Sequence, residues 1–292
     1  MTIKIPATSA NLGPGFDCLG VSLALFNEAQ ITRAKISSIN IKGEGENALF
    51  LKKNNPFVRI FNETYEKLSG EKANFRFEFH NFIPFSRGLG SSSAVIVGAV
   101  GAAHCFVGQG ENRQSILNMS LPYEKHPDNI APATLGGFVC SVVHQHKVFS
   151  IKNDIDSDIK ALVVIPNEPM STKKSRSTLP KSVSLKDCVF NLSHSSLLTA
   201  CFLQKRYDML KIASLDMLHQ SKRMKNLPQL FKVQKLALEN GALMSVLSGS
   251  GSSFFSVAFN NDIENLGKKM KKKFPQFEVK ILEFDNKGFI FC

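Results

Sequence analysis

The long uncharged segment between Gly88 and Gly110 limits the possible folds more than any other part of the sequence. It begins with Gly-Leu-Gly-Ser-Ser-Ser, continues mostly with Ala, Val and Gly, and contains His104. A helix that is apolar on every side must be buried, and about 20 such residues could also cross a bilayer. The glycines, the serines and His104 favour burial in a protein core. We therefore predict a helix of small residues from about Ser92 to Phe106, and no membrane partner.

The length and the composition predict one large domain or two ordinary domains. The chain has 292 residues, of which 43% are hydrophobic. Domains usually have about 100–200 residues, and this apolar fraction can fill a core, so wholesale disorder is excluded. A polar segment at 153–158 follows a glycine-rich first half and precedes a second half with several amphipathic helical patterns. We predict domains at residues 1–155 and 156–292.

Hydrophobic periodicity predicts a mixture of strands and helices. In the segment 74–82, phenylalanines alternate with polar residues, which is the period of a half-buried strand. Strands are predicted at 3–6, 21–36, 74–82, 136–150, 159–165, 242–258 and 277–284, the fourth and sixth segments being long enough for strand pairs. Amphipathic helices are predicted between 184 and 240, with one more between the last two strand segments.

The positive charge does not identify a nucleic-acid-binding protein. The chain has 36 Lys and Arg and 24 Asp and Glu, so its formal net charge is 36 − 24 = +12. The one local cluster, at 268–273, follows Asp262 and Glu264, as the cationic end of a surface helix does. The sequence has no Trp and only three Tyr, so it offers few side chains that stack on bases. We predict an anionic small-molecule partner and no nucleic acid.

The cysteines predict neither a zinc site nor a disulfide framework. The six cysteines stand at 18, 105, 140, 188, 201 and 292, and no two of them form a C-x-x-C motif. Reduced thiols are typical of a cytoplasmic protein, which is the predicted location.

The segment PFSRGLGSSSA at 84–94 is the first candidate for chemistry. Its glycines permit a tight turn, and its serines stand where the apolar helix begins. Free backbone N–H groups at such a helix N-terminus bind phosphate well, but an ordinary turn capped by serine has the same composition. Neither the Walker A motif nor the dinucleotide motif is present. The residues of this segment alone leave both interpretations open.

Three further clusters are PATSANLGPGFD at 6–17, EKHPDN at 124–129 and LSGSGSS at 247–253. Together with the segment at 84–94, they resemble the GHMP kinase superfamily, and within it the branch that phosphorylates homoserine. The P-x-x-x-G-L-G-S-S pattern marks the superfamily. The first cluster and HPDNIAPA at 126–133 point to the narrower branch. The third glycine cluster departs from the usual family pattern, in which a proline follows the second glycine.

The resemblance implies an α+β fold with a ribosomal-protein-S5-like N-terminal domain and a ferredoxin-like C-terminal domain. It implies that ATP and L-homoserine react to give ADP and O-phospho-L-homoserine, a step of threonine biosynthesis, with Mg²⁺ as the second cofactor. It leaves a homodimer possible.

The resemblance also implies residue roles. The nucleotide phosphates are assigned to Pro84, Ser86, Arg87, Gly88, Leu89, Gly90, Ser91, Ser92 and Ser93. Mg²⁺ is assigned to Ser92 and Glu124, whose oxygens suit a hard cation. The substrate is assigned to Asn11, Asp17, His126, Asn129, Arg176, Arg223 and Gly249, with the two arginines on its carboxylate. The catalytic set is Glu124, Asn129, Thr172 and Arg176, although Lys173 or Lys174 could replace the last two near the γ-phosphate.

Several superfamily relatives have an Asp base where this chain has Asn129. The sequence therefore predicts phosphoryl transfer without a general base at this position, which is consistent with a loose transition state. Each residue taken singly also has a structural explanation: Asp17 could brace a turn, His126 could cap a helix, and Glu124 or either arginine could lie on the surface. The alternative functions are another GHMP small-molecule kinase and a catalytically inactive sensor of the family. Glu124 and the complete glycine-serine segment argue against the inactive form.

Overall fold

The computed structural model describes residues 1–291, so the predicted free thiol of Cys292 lies outside the described residues. The strands are β1 (Thr2–Ala10), β2 (Leu19–Arg33), β3 (Ser38–Gly43), β4 (Phe75–Asn81), β5 (Phe138–His144), β6 (Lys147–Asn153), β7 (Ile159–Ile165), β8 (Met244–Leu247), β9 (Phe254–Phe259), β10 (Glu278–Leu282) and β11 (Ile290–Phe291). The helices are α1 (Leu49–Lys53), α2 (Pro56–Ser69), α3 (Ser91–Phe106), α4 (Arg113–Ser120), α5 (Pro127–Leu135), α6 (Thr172–Ser177), α7 (Leu185–Gln204), α8 (Leu210–Ala213), α9 (Gln220–Met224), α10 (Gln229–Glu239) and α11 (Asn260–Lys273). The predicted α+β class is confirmed.

The first sheet has seven strands in the order β11-β1-β2-β4-β3, with β5 paired to β2 and β6 paired to β5. Its pairs are antiparallel except for β3 and β4, which are parallel. The predicted alternation in β4 is confirmed, because Phe75, Phe77 and Phe79 are buried and the residues between them are exposed. Helix α2 covers this face, and its Phe61 ring lies edge-on to Phe75 at a centroid distance of 4.9 Å.

The predicted small-residue helix is confirmed as α3, and its glycines explain why the residues are small. A side-chain carbon at Gly98 would lie 2.8 Å from the Ile5 side chain of β1. One at Gly101 would lie 2.6 Å from the Phe289 ring. Real carbon contacts are not this short, so both glycines allow α3 to approach the sheet more closely than any larger residue would. The helix is therefore central to the core, as its lack of a polar face requires.

The second sheet has four antiparallel strands in the order β10-β7-β9-β8. Helices α10 and α11 pack on it and bury Leu230, Val233, Ile263 and Leu266, among others, in a second core cluster. Helix α11 ends in Lys271, Lys272 and Lys273 after Asp262 in its first turn, so the predicted surface helix with a cationic end is confirmed.

The chain passes from the first sheet to the second between Asn153 of β6 and Ile159 of β7. It also returns, because β11 pairs with β1 and the backbone of Asp285 donates a hydrogen bond to Ser22 of β2 at 3.1 Å. The division at residues 1–155 and 156–292 stays a proposal. No helix within the described residues is long and apolar enough to span a membrane.

His104 gives the first core a sensitivity to acid. It is fully buried in α3, and its Nε2 lies 3.2 Å from both Met119 Sδ and Ser115 Oγ. Burial lowers the pKa of His104 below its usual value. The unfolded chain therefore binds the proton first, so this histidine's contribution to stability is present above about pH 6.5 and is lost as the pH falls below it.

We expect His104→Gln to reduce the loss of unfolding free energy between pH 7.5 and pH 5.5, because the variant has no imidazole to protonate. Urea denaturation at both pH values measures this difference. His80→Gln is the matched control, since His80 is exposed on β4. An unchanged pH dependence in His104→Gln, or an equal change in the control, contradicts the assignment.

Candidate active site

One cavity of about 190 Å³ brings together all the residues that the sequence assigned to the site. Its lining is Asn11, Asp17, Pro84, Ser86, Arg87, Gly88, Leu89, Gly90, Ser91, Ser92, Ser93, Glu124, His126, Asp128, Asn129, Met170, Thr172, Arg176, Arg223, Gly249 and Ser250. Three of these residues were not predicted: Asp128, Met170 and Ser250. Asp128 is the acidic residue inside the HPDN motif, so a signal for it existed. Ser250 likewise lies inside the LSGSGSS cluster, whereas Met170 had no signal of its own.

The turn before α3 brings backbone N–H groups to the cavity. Gly90 is the N-cap residue of α3 with a φ of 68°, and no side chain caps this helix end. The i to i−4 hydrogen bonds of α3 begin at Ala94, whose backbone N–H donates to the Gly90 carbonyl at 2.8 Å. Ser91, Ser92 and Ser93 precede it and line the cavity. The alternative interpretation, an ordinary turn capped by serine, requires a serine side chain that accepts from these N–H groups. None of the three serines does so, and the geometry therefore favours an anion site.

The glycines of this turn permit two close backbone contacts. A Cβ at Gly88, where φ is 77°, would lie 2.2 Å from the carbonyl oxygen of Ser248. A Cβ at Gly90 would lie 1.9 Å from Thr8 Oγ1. Ser248 also donates a hydrogen bond from its hydroxyl to the Gly88 carbonyl at 2.6 Å. The turn is therefore fixed against β1 on one side and the loop between β8 and β9 on the other.

Arg87 stabilises the same turn through its side chain. Its guanidinium donates to three backbone carbonyls, those of Phe85 at 3.0 Å, Pro166 at 2.9 Å and Asn167 at 2.6 Å. These bonds join the turn to the residues that follow β7. The guanidinium of Arg87, which was predicted to contact phosphate, thus already donates hydrogen bonds to protein carbonyls. The residue nevertheless lines the cavity.

Asp17 is the centre of a charged cluster that lines the same cavity. Its carboxylate accepts two hydrogen bonds from Arg176, at 3.0 and 2.7 Å, and lies 3.3 Å from His126 Nδ1. Its backbone N–H donates to Asn11 Oδ1 at 3.0 Å. The other end of the Asn11 amide donates to the Gly249 carbonyl at 3.0 Å. The cluster therefore connects Asn11 and Asp17 of the first motif with Gly249, which lies 238 residues after Asn11 in the sequence.

Arg223 is a buried cation without a carboxylate partner among the described residues. It is only 2% exposed, and its Nη1 donates to the Gly249 carbonyl at 3.0 Å and lies 3.3 Å from His219 Nδ1. Its Nε makes no hydrogen bond. Burial, and then the charge of Arg176, lowers the pKa of Arg223 to about 10. A buried guanidinium without a carboxylate partner among the described residues would be stabilised by an anionic ligand in the cavity.

The Phe16 ring lies close to both arginines. The guanidinium carbons of Arg176 and Arg223 each lie 5.2 Å from the centre of its ring. Cations over an aromatic face are attracted to its negative charge density. Phe16 belongs to the GPGFD part of the first motif, so the sequence contained it, but its role depends on a geometry that the sequence does not specify.

Two carboxylates face the cavity without a hydrogen bond from any residue within 1–291: those of Glu124 and Asp128. Burial raises the pKa of Glu124, and the positive charge of Arg176 partly opposes it. Burial raises the pKa of Asp128 to about 7, and the charges of Asp17 and Glu124 add to this. Both carboxylates would therefore be stabilised by a cation. No cluster of three or more His, Cys, Asp or Glu in the described part of the chain is arranged to bind a metal.

Asn129 and Thr172 also line the cavity. The Asn129 Oδ1 accepts a hydrogen bond from Thr8 Oγ1 at 2.7 Å. The Thr172 hydroxyl, at the start of α6, lies 3.3 Å from Ser250 Oγ. A hydroxyl and an amide that face the same space as the anion site are suited to bind a polar substrate beside a phosphate.

Comparison with known proteins gives the family. Residues 55–137 match the GHMP kinases N terminal domain, and residues 198–276 match the GHMP kinases C terminal domain. The chain is 64% identical to the homoserine kinase of Campylobacter jejuni subsp. doylei over 292 residues, which is 100% of both chains. The chain belongs to the homoserine kinase family.

Solved structures agree with this membership. The crystal structure of homoserine kinase from Cytophaga hutchinsonii has a TM-score of 0.88 at 26% identity and covers 99% of this chain and 96% of its own. A putative homoserine kinase from Listeria monocytogenes has a TM-score of 0.80 at 25% identity and covers 99% of this chain and 98% of its own. The expected GHMP kinase fold is confirmed. The individual residue roles stay predictions.

We expect Gly90→Ala to abolish most ATP binding in a folded protein, because the added carbon would occupy the place of the Thr8 hydroxyl. Gly70→Ala is a matched control: Gly70 has a φ of 76° but no atom within 4 Å of an added Cβ. Both variants should lose about 1 kcal/mol of unfolding free energy from the positive φ. Urea unfolding and calorimetric titration with ATP separate the two effects. A folded Gly90→Ala that binds ATP normally would show that the turn is not a phosphate site.

Proposed function

We propose that the protein transfers the γ-phosphoryl group of ATP to the side-chain hydroxyl of L-homoserine. One observation carries the proposal: a single cavity joins an uncapped helix N-terminus to the unpaired, buried Arg223 and to two carboxylates that lack partners. The first group suits phosphates, and the second suits the carboxylate and ammonium of an amino acid. The family relationship supports the same pair of substrates.

A neighbouring cavity of about 310 Å³ supports a place for the adenosine part of ATP. It shares Ser86, Ser91 and Ser92 with the first cavity. Its remaining lining is largely apolar, with the rings of Phe50, Phe57, Phe79 and Phe85 and the amides of Asn27, Asn55 and Asn81. An aromatic pocket with a few amides is suited to a purine base. ATP bound across the shared serines would direct its phosphates to the start of α3.

We propose that the homoserine carboxylate binds Arg223 and Arg176, and that its ammonium faces Asp17 and Asp128. Arg176 is already paired with Asp17, so the larger share of the carboxylate's stabilisation is expected from Arg223. Asn11, His126 and Gly249 complete this end of the site by fixing Asp17 and the loop after β8. The hydroxyl then lies near Asn129 and the N-terminus of α3.

Ser92 and Glu124 fit the proposed Mg²⁺ site, because a hydroxyl and an unpartnered carboxylate are hard oxygen donors at the edge of the phosphate site. A bound Mg²⁺ would neutralise charge on the phosphates during transfer. The remaining ligands are expected from phosphate oxygens and water. Glu124 then has the counter-charge that its buried carboxylate lacks.

The reaction needs few protein groups. The hydroxyl oxygen forms a bond to the γ-phosphorus, the bond to the β–γ bridging oxygen breaks, and its electron pair leaves with ADP. Asn129 cannot hold the hydroxyl proton, because an amide is not a base at working pH. With no base at position 129, we expect the proton to pass to an oxygen of the transferred phosphoryl group. We expect Thr172 and Arg176, which both belong to α6, to assist the phosphoryl group.

The substrate is tested by measuring ADP release in a coupled assay with homoserine, shikimate, mevalonate and galactose. We expect activity with homoserine to exceed that with the other compounds by at least about 100-fold, because only an amino acid satisfies Arg223 and the unpaired carboxylates together. Activity with another of these compounds would identify a different GHMP kinase. No activity with any of them would favour the inactive family member.

Glu124→Gln is expected to lower kcat by at least about 100-fold while homoserine binding changes little, since the amide removes a charged metal ligand and not an amino-acid contact. Initial rates over a range of Mg²⁺ concentrations and a calorimetric homoserine titration measure both effects. Glu264→Gln on α11 is the control, because its side chain is exposed and far from the cavity lining. Normal turnover in Glu124→Gln would remove this residue from the site.

The arginine pair predicts discrimination against 3-aminopropan-1-ol, which is homoserine without its carboxylate. Its complex would leave the buried donors of Arg223 unsatisfied, so kcat/KM should be lower by about 1000-fold or more. Arg223→Ala and Arg176→Ala should each reduce the preference for homoserine. Arg59→Ala should not, because Arg59 is an exposed residue of α2 outside the cavity lining. Equal use of both compounds by the unchanged protein would exclude the arginine clamp.

A further inference from the structure

Thr8 is buried beneath the site and does not line the cavity. It is 0% exposed on β1, and its hydroxyl donates to Asn129 Oδ1 at 2.7 Å. Its backbone N–H donates to the Leu89 carbonyl at 3.2 Å. Thr8 thus contacts both the phosphate turn and the residue predicted to face the substrate hydroxyl. A contact with substrate cannot explain these bonds.

The surrounding backbone fixes both ends of the bond between Thr8 and Asn129. Thr8 pairs with Ser22 in the ladder between β1 and β2, and its branched side chain has few rotamers. Asn129 lies in the first turn of α5, directly after Pro127 and Asp128. Gly90 lacks the carbon that would lie 1.9 Å from the Thr8 hydroxyl. The space for this hydroxyl therefore exists only because residue 90 is a glycine.

The direction of the hydrogen bond determines which end of the Asn129 amide meets the cavity. An amide has an oxygen that accepts and an NH₂ that donates, and a half-turn exchanges them. Within residues 1–291, the Thr8 hydroxyl has no other acceptor than Asn129 Oδ1. With the amide reversed, Asn129 Nδ2 would donate to Thr8 Oγ1, and the proton of the buried Thr8 hydroxyl would have no acceptor among the described residues, which is unfavourable. Thr8 therefore selects the orientation with the NH₂ toward the cavity.

We infer that Thr8 is a positioning residue that makes Asn129 a hydrogen-bond donor toward the substrate hydroxyl. The inference rests on the proposed function. Asn129 Nδ2 then donates to one lone pair of the hydroxyl oxygen, and the second lone pair forms the bond to the γ-phosphorus. The hydroxyl proton is directed to a γ-phosphoryl oxygen, which receives it as the bond to ADP breaks. With the amide reversed, the substrate hydroxyl would instead donate a hydrogen bond to Oδ1, which is not basic enough to take up the proton.

The test removes the hydroxyl without changing the shape of the side chain. Thr8→Val should lower kcat by at least about tenfold, with the KM values for homoserine and ATP changed less than about twofold. Thr8→Ser retains the hydroxyl and should keep kcat within about threefold of the unchanged protein. Thr134→Val is the matched control, because Thr134 is also fully buried and its hydroxyl binds the Ile130 carbonyl within α5. Its kcat should not change.

A double-mutant cycle shows whether Thr8 acts through Asn129. In an Asn129→Ala background, Thr8→Val should have no further effect on kcat, because the amide to be oriented is absent. Additive effects, an unchanged kcat in Thr8→Val, or failure of Thr8→Ser to restore kcat would overturn the inference. If Thr8→Val does not fold, Thr8→Ala has the same expected outcomes.

The unchanged protein separates this inference from the proposed function. Absence of homoserine-dependent ADP release in the unchanged protein contradicts the proposed function. Normal release in the unchanged protein, together with normal release in the folded Thr8 variants, contradicts only the role of Thr8.

Discussion

The site depends on the approach of three backbone segments at Gly88 and Gly90. The Ser248 carbonyl occupies the place of a Cβ at Gly88, and the Thr8 hydroxyl occupies that of a Cβ at Gly90. The turn before α3 therefore contacts β1 and the loop after β8 at the same time. Without these contacts, the phosphate turn and the amino-acid side of the cavity would not share a wall. Two residues without side chains thus determine how the two sheets meet around the ligands.

Much of this arrangement was predictable, because the relevant signals are local. The small-residue helix α3, the alternating strand β4 and the cationic end of α11 follow from periodicity and charge within single segments. The predicted site residues also meet in one cavity, since the motifs carry a family pattern over most of the chain. Helix α2 was missed, although Asn55 caps it, Pro56 begins it and Gly70 ends it. These residues are ordinary helix start and stop signals, so α2 was also predictable from the sequence.

The rest depends on contacts between distant residues, which a pattern does not specify. The motif identifies Arg87, but not that its donors bind the carbonyls of Phe85, Pro166 and Asn167. It identifies Arg176 and Arg223, but not that, within residues 1–291, Arg176 has a carboxylate partner and Arg223 has none. The proximity of Phe16, in the segment between β1 and β2, to both arginines likewise depends on how this segment packs against α6 and α9. Sequence therefore predicts which residues meet, and structure shows which of their bonds are already satisfied.

The return of the chain to the first sheet affects the order of folding. Phe289 lies against Gly101 of α3, and β11 pairs with the residues Ile3 and Lys4 at the start of the chain. The strands of the second sheet, β7 to β10, precede Phe289 and β11 in the chain and are synthesised first. The first core therefore cannot be completed until nearly all the described chain has been made. Until then α3 lacks its contact with Phe289 at Gly101. Such contacts between the two ends slow folding, since a long loop must close before they form. During that interval α3 exposes apolar surface, and such surface in folding intermediates promotes aggregation or is bound by chaperones.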